Sequence, residues 1–169
     1  MKIEWVNKDK AEDVAKLAVC LLNEIIERSG LAAFDVDEEK AVRLCSDFMT
    51  DRRYRVLAAF EDNRIVAFGA LCESQSLYAE GRFGIVQEFY VEPEYRSQNL
   101  GQRMIESMSA YAKAQGWKRL ELCTPPIPVF DRTVSFYQNN GFNSYGVNLK
   151  APNLLLRNLG LAVSHQFEK

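Results

Sequence analysis

The residues best placed to do chemistry stand together in Val86-Gln87-Glu88-Phe89-Tyr90-Val91-Glu92-Pro93-Glu94-Tyr95-Arg96-Ser97-Gln98-Asn99-Leu100-Gly101-Gln102-Arg103-Met104. The pattern is a strand, a tight turn and the opening of a helix. The first amides of a helix have no intrahelical acceptors, and the macrodipole adds partial positive charge, so such a turn makes an anion site. Arg96 brings a fixed positive charge to its entrance. The simplest ligand is a phosphate-bearing cofactor lying along the strand end. Reactive groups elsewhere are few. Cys20, Cys45, Cys72 and Cys123 are widely spaced, no CxxC occurs, and His165 is the one histidine. Reduced thiols packing as small hydrophobes are expected, with no disulfide and no metal site. Cys123 has no His or Asp beside it in sequence and reads as a buried thiol. His165 reads as a tail residue.

The chain that positions these groups has 169 residues, enough for one domain with one core, so 1–169 is read as a single domain. Net charge is -2, from 21 basic and 23 acidic residues, which offers no overall basic field for nucleic acid. No apolar run is long enough to span a bilayer. Met1-Lys2-Ile3-Glu4-Trp5 does not have the pattern of a signal peptide. A cytoplasmic protein is expected.

Residues 2–6 read as a first strand. Asp9 with Glu12 resembles a capping box. Val14, Leu17, Ala18, Leu21, Leu22, Ile25 and Ile26 then recur at helical spacing up to Gly30. A second helix is expected over about 37–51, with Val42, Cys45, Phe48 and Met49 on one face. From Tyr54 the period becomes two, giving strands at 54–60 and 64–71 about the turn Glu61-Asp62-Asn63. The next strand runs over 82–92 and stops at Pro93. Leu100, Met104, Ile105, Met108, Tyr111 and Ala112 mark a helix closing at Gly116, with Trp117 covering the core at its end. A strand at 119–124 meets Pro125-Pro126-Ile127-Pro128. Phe130, Val134 and Tyr137 mark a shorter helix ended by Gly141. Strands at 142–150 and 154–158 follow, then a tail. The fold class is α+β: a mixed, mostly antiparallel sheet with helices on both faces.

Arg96-Ser97-Gln98-Asn99-Leu100-Gly101 resembles the Q/R-x-x-G-x-G/A signature of the GCN5-related N-acetyltransferases, with Val91-Glu92-Pro93-Glu94-Tyr95 as the usual lead-in. Phe136-Tyr137-Gln138-Asn139-Asn140-Gly141-Phe142, about 40 residues on, resembles that family's late FYxxxGF segment. Two motifs in the right element order are far more specific than either alone. The family binds acetyl-CoA and moves its acetyl group to an amine. One position departs from the signature: Asn99 stands at its middle glycine, and asparagine is the residue that best tolerates positive φ after glycine.

The resemblance implies that backbone groups of Phe89, Tyr90 and Val91 pair with the pantetheine arm as an added strand would. It implies that the amides from Ser97 to Arg103, through Gln98, Asn99, Leu100, Gly101 and Gln102, hold the pyrophosphate. Side chains of Arg96, Gln98 and Gln102 would assist, and Arg103 would reach the nucleotide phosphate. Glu88 is the candidate base for the acceptor amine, with a structural carboxylate and a water relay as the alternative. Tyr137 is implied as the acid at the departing thiolate, with a core aromatic as the alternative. The group Asp35, Asp37, Glu38 and Glu39 reads as dipole complementation at a helix start. With Glu73, Glu80 and Glu88 it hints at a cationic amine. The expected activity is acetyl transfer to a small-molecule amine by direct attack in a ternary complex. A non-catalytic CoA-binding module is the alternative, raised by Asn99. Dimers are common in the family, so a homodimer is a candidate assembly.

Overall fold

The structure, a computed structural model, describes residues 1–30, 36–124, 128–144 and 162–167. In chain order the elements are β1 (Lys2–Val6), α1 (Ala11–Ser29), α2 (Glu38–Thr50), β2 (Tyr54–Glu61), β3 (Arg64–Ser76), β4 (Gly81–Val91), α3 (Leu100–Ala114), β5 (Arg119–Cys123), α4 (Asp131–Asn139), β6 (Asn143–Ser144) and β7 (Ala162–Gln166). The seven strands form one sheet in the order β1-β2-β3-β4-β5-β7-β6. The pair β4/β5 is parallel and the other neighbours are antiparallel.

Alternation along the strands splits the core between two faces. On one face Leu57, Ala59, Leu71 and Val86 pack with Leu100, Met104 and Met108 of α3 and with Tyr137 and Phe142. On the other, Val56, Ala58, Phe68 and Tyr90 pack with Val14, Ala15 and Leu17 of α1 and Cys45 of α2. The mixed sheet with helices on both faces is therefore as the periodicity implied.

Several local readings hold for the expected reasons. Gly30 ends α1 at φ 68, its N–H donating to Ile26 O at 2.8 Å. Asp62 and Asn63 take φ 48 and 67 in the β2–β3 turn. Pro93 begins a short 3-10 turn, Pro93–Tyr95, immediately after β4. Trp117 is buried over β4 and donates from Nε1 to Glu73 Oε2 at 2.7 Å.

Three readings are corrected. No capping box forms at Asp9: a 3-10 turn, Lys8–Lys10, leads into α1 without a side-chain cap. Glu12 instead reaches forward to Lys16 Nζ at 2.7 Å, the pairing that i,i+4 spacing favours. Phe48, read as part of the buried face of α2, is 48% exposed and leans on the Tyr54 ring at 5.5 Å. The tail holds a strand: β7 inserts between β5 and β6, with His165 opposite Leu120. Of the expected strand at 142–150, Asn143–Ser144 is β6, while 145–150 and the strand at 154–158 lie outside the described residues.

Gly84 shows how tightly the sheet is covered. A Cβ there would stand 2.3 Å from Trp117 Cζ3 and 2.6 Å from Leu120 Cδ2. Trp117 is held by its bond to Glu73, so Gly84→Ala is expected to lose about 1–3 kcal/mol as an overpacked site. Thermal unfolding checks this, and an unchanged Tm would mean that Trp117 swings aside freely.

Candidate active site

The site arises where β4 and β5 part. They pair only through Gly84, Ile85 and Val86 against Leu120, Glu121 and Leu122. Against β3, Leu71 pairs with Val86 but Ala70 with Glu88, so Gln87 is the extra residue of a β-bulge. A bulge bends its strand, and β4 beyond it runs on to Val91 with no neighbour on its β5 side among the described residues. A cleft of about 940 Å³ fills the gap, reaching from Leu21 and Ile25 of α1 past β4 to Cys123 and to Phe136 and Tyr137 of α4. A second hollow, about 830 Å³ beside β1 and the Asp62–Asn63 turn, contains none of the motif residues.

The open edge of β4 carries backbone groups of alternate residues. Glu92 N donates to Val66 O at 3.0 Å, so by antiparallel alternation Tyr90 also faces β3, while Phe89 and Val91 face the cleft. Of the expected trio, Phe89 and Val91 are therefore the two whose backbone groups face the cleft. The ring of Tyr90 packs on the opposite face and still borders the cleft.

The turn after β4, where the motif places an anion cradle, has an unusual backbone. Ser97 and Asn99 both sit at φ 61, and Asn99 precedes α3 with no side-chain cap bond. The glycine position held by Asn99 thus keeps a left-handed backbone, which asparagine tolerates. Arg96 N donates to Pro93 O, and the next amide with an acceptor is that of Arg103, bonded to Asn99 O at 3.1 Å. The amides of Ser97, Gln98, Asn99, Leu100, Gly101 and Gln102 between them have no acceptor among the described residues. Ser97, Gln98 and Asn99 are exposed, so these amides are open to solvent or to an anion, which can satisfy several at once. Gly101 matters for packing: a Cβ there would stand 3.1 Å from Phe136 Cζ.

The side chains of Arg96, Gln98 and Gln102, assigned to the phosphates, each have a partner within the protein. Arg96 donates from Nε to Val91 O at 2.7 Å and grips Glu24 of α1 with Nη1 at 3.1 Å and Nη2 at 2.6 Å. This pair holds the Glu24 carboxyl below its ordinary value, and it cancels the charge that Arg96 was to supply. Gln98 turns back to Glu94 O at 2.7 Å, and Gln102 bonds Glu106 at 3.0 Å. Leu100 is buried in the core. Gln98, Leu100 and Arg103 do not border the cleft. The groups left without a partner at the turn, among the described residues, are thus backbone amides rather than the side chains of Arg96, Gln98 and Gln102.

Glu88 and Tyr137 approach the cleft from opposite faces of the sheet. Glu88 accepts from Tyr54 Oη at 2.8 Å. Burial raises its pKa above the ordinary carboxylate value, and the bond from Tyr54 only partly opposes this. Tyr137 is buried among Phe136, Phe142 and Phe89, at ring distances of 5.2, 5.6 and 6.3 Å. Its hydroxyl has no hydrogen-bond partner among the described residues, and burial raises its pKa, keeping it protonated. The ring is core and the residue also lines the cleft, an arrangement compatible with either role.

Of the remaining candidates, His165 lies away from the cleft and Cys123 on its border. His165 lies against Gly141, Nδ1 at 2.8 Å from Gly141 O. Cys123, read from the sequence as buried, is exposed at the border of the cleft, and partial desolvation with Glu121 nearby raises its thiol pKa, so little thiolate forms. Asp37 caps α2 through Lys40 N at 2.9 Å. Asp35 lies outside the described residues. Of Glu73, Glu80 and Glu88, only Glu88 borders the cleft. Among the described residues no cluster of acidic, His or Cys side chains could hold a metal, and no helix is long and apolar enough to cross a membrane.

Sequence reasoning missed Glu24, Arg28, Tyr54 and Arg132. Leu21, Glu24, Ile25 and Arg28 follow i, i+3, i+4, i+7 and form one cleft-facing stripe of α1, a phase that could have been read. Tyr54 carried no local signal for its partner, which is 34 residues away.

The acetyltransferase (GNAT) domain family matches residues 52–144, more than half of the chain. The chain belongs to that family; it is an acyltransferase, with acetyl-CoA as its acyl donor. Among solved structures, the PaiA N-acetyltransferase of Thermoplasma acidophilum with coenzyme A superimposes with TM-score 0.71 at 16% identity, covering 99% of this chain and 100% of that one. A GNAT acetyltransferase of Staphylococcus aureus Mu50 gives 0.72 at 17% identity, covering 99% and 100%. An aminoglycoside acetyltransferase from an uncultured soil metagenomic sample, in complex with sisomicin, gives 0.69 at 16%, covering 91% and 95%. At such identities the likeness is one of fold. No curated protein sequence matches the chain.

Proposed function

We propose that the protein transfers the acetyl group of acetyl-CoA to the primary amine of a small molecule, by direct attack in a ternary complex. The observation that carries this is the arrangement around one cleft: unbonded amides at the turn, an open β4 edge, Glu88 on one face and the Tyr137 hydroxyl on the other. The cradle orients the phosphates and the β4 edge aligns the arm, so that positioning supplies much of the rate. An N–H of Phe89 or Val91 polarises the thioester carbonyl. The amine nitrogen attacks the carbonyl carbon, the C–N bond forms and the C–S bond breaks. The proton on nitrogen passes to Glu88, directly or through a water, and Tyr137 donates to the departing thiolate sulfur.

Aminoglycoside acetyltransferases are among the proteins sharing the fold. Four free cysteines suit the reducing compartment implied by a cytoplasmic location. Calorimetry with acetyl-CoA, followed by thiol release over a panel of amino acids, polyamines, aminoglycosides and alanine-ended peptides, tests the reading. Micromolar binding with release on a small amine is expected. Release on the peptides alone would overturn the acceptor class, and failure to bind acetyl-CoA would overturn the site.

A further inference from the structure

Arg132 occupies the first turn of α4, where the macrodipole disfavours a cation. Helix stability therefore does not account for it. The side chain is exposed and borders the cleft, and its one hydrogen bond among the described residues runs from Nη2 to Ser97 Oγ at 2.7 Å. No carboxylate pairs with it among the described residues, which leaves most of its N–H donors available. Ser97 is the first residue of the unbonded amide run. The charge of Arg132 thus stands over the cradle, whereas that of Arg96 is tied to Glu24.

We propose that Arg132 is the cation that binds the donor's pyrophosphate, reaching from α4 across to the turn at Ser97. The assignment rests on the acetyl-CoA donor site described above and adds a specificity residue to it. A guanidinium offers planar paired donors to phosphate oxygens, and the amides of the turn offer theirs from the other side. The site then discriminates donors by their phosphates: a pantetheine arm alone meets the β4 edge but not Arg132.

Calorimetry with CoA, dephospho-CoA and pantetheine, on the wild-type protein and on Arg132→Gln and Arg132→Lys, tests this. Arg132→Gln is expected to weaken CoA and dephospho-CoA alike by about tenfold, the loss of one charge-assisted contact. Pantetheine affinity should not change, and the melting temperature should hold because the side chain is exposed. Arg132→Lys should recover part of the loss, and added salt should narrow the gap between wild type and Arg132→Gln. Unchanged CoA affinity in Arg132→Gln overturns the assignment. So does an equal loss for pantetheine, which would mark a role in holding α4. Weakening of CoA without dephospho-CoA would move Arg132 to the 3′-phosphate and overturn the pyrophosphate contact. A wild-type protein that binds neither CoA nor dephospho-CoA overturns the donor site itself, and the Arg132 assignment with it.

Discussion

Glu88→Gln is expected to lower kcat by about a hundredfold, the lower end of what general-base removal costs, while raising the stability of the protein at and above neutral pH. The two effects share one cause. Burial raises the Glu88 pKa, so the folded state prefers the protonated carboxyl more than the unfolded chain does. The resulting contribution to stability is fully present below the ordinary carboxylate value and is lost as pH rises through the raised one. Glutamine keeps the acceptor that Tyr54 Oη now bonds at 2.8 Å and carries no charge to desolvate. Steady-state kinetics and thermal melts at an acidic and a neutral pH measure both effects. In wild type the acid limb of kcat should lie above the range of a free carboxylate, because protonated Glu88 cannot accept the amine's proton. That limb should vanish in Glu88→Gln. If stability rose but kcat held, Glu88 would be a buried structural carboxylate and the proton would leave by another route.

Most of the fold was legible because its signals are local. The switch from helical spacing in α1 to alternation in β2, and the Asp62–Asn63 turn, each fixed an element within a few residues. β7 was not legible, because pairing with β5 rather than its own short pattern makes it a strand. The site divides in the same way. The motif marked the turn correctly, and Asn99 does adopt the left-handed backbone that a glycine would. What sequence could not supply was charge pairing over distance. Arg96 reads as a free cation beside its motif, yet its partner Glu24 lies 72 residues away on α1. The bulge at Gln87 also escaped, since it is a property of the β3–β4 register and not of β4 alone. That bulge opens the gap in which Glu88 and Tyr137 can act from opposite faces.

Tyr137→Phe is expected to lower turnover by about ten- to a hundredfold, within or just below the range of general-acid contributions, with acetyl-CoA affinity nearly unchanged. The ring contacts to Phe136, Phe142 and Phe89 persist in phenylalanine. The hydroxyl has no partner in the described structure, so removing it leaves no bonded group unsatisfied, and the melting temperature should hold or rise slightly. Burial raises the Tyr137 pKa, which makes complete proton transfer to a thiolate uphill but leaves a protonated hydroxyl at the cleft that would donate to sulfur as negative charge develops. The defect should therefore track the leaving group. An acetyl thioester of a more acidic thiol needs less help, so wild type and Tyr137→Phe should converge on such a donor. If the two differed by the same factor on both donors, the hydroxyl would be shaping the cleft rather than stabilising the thiolate.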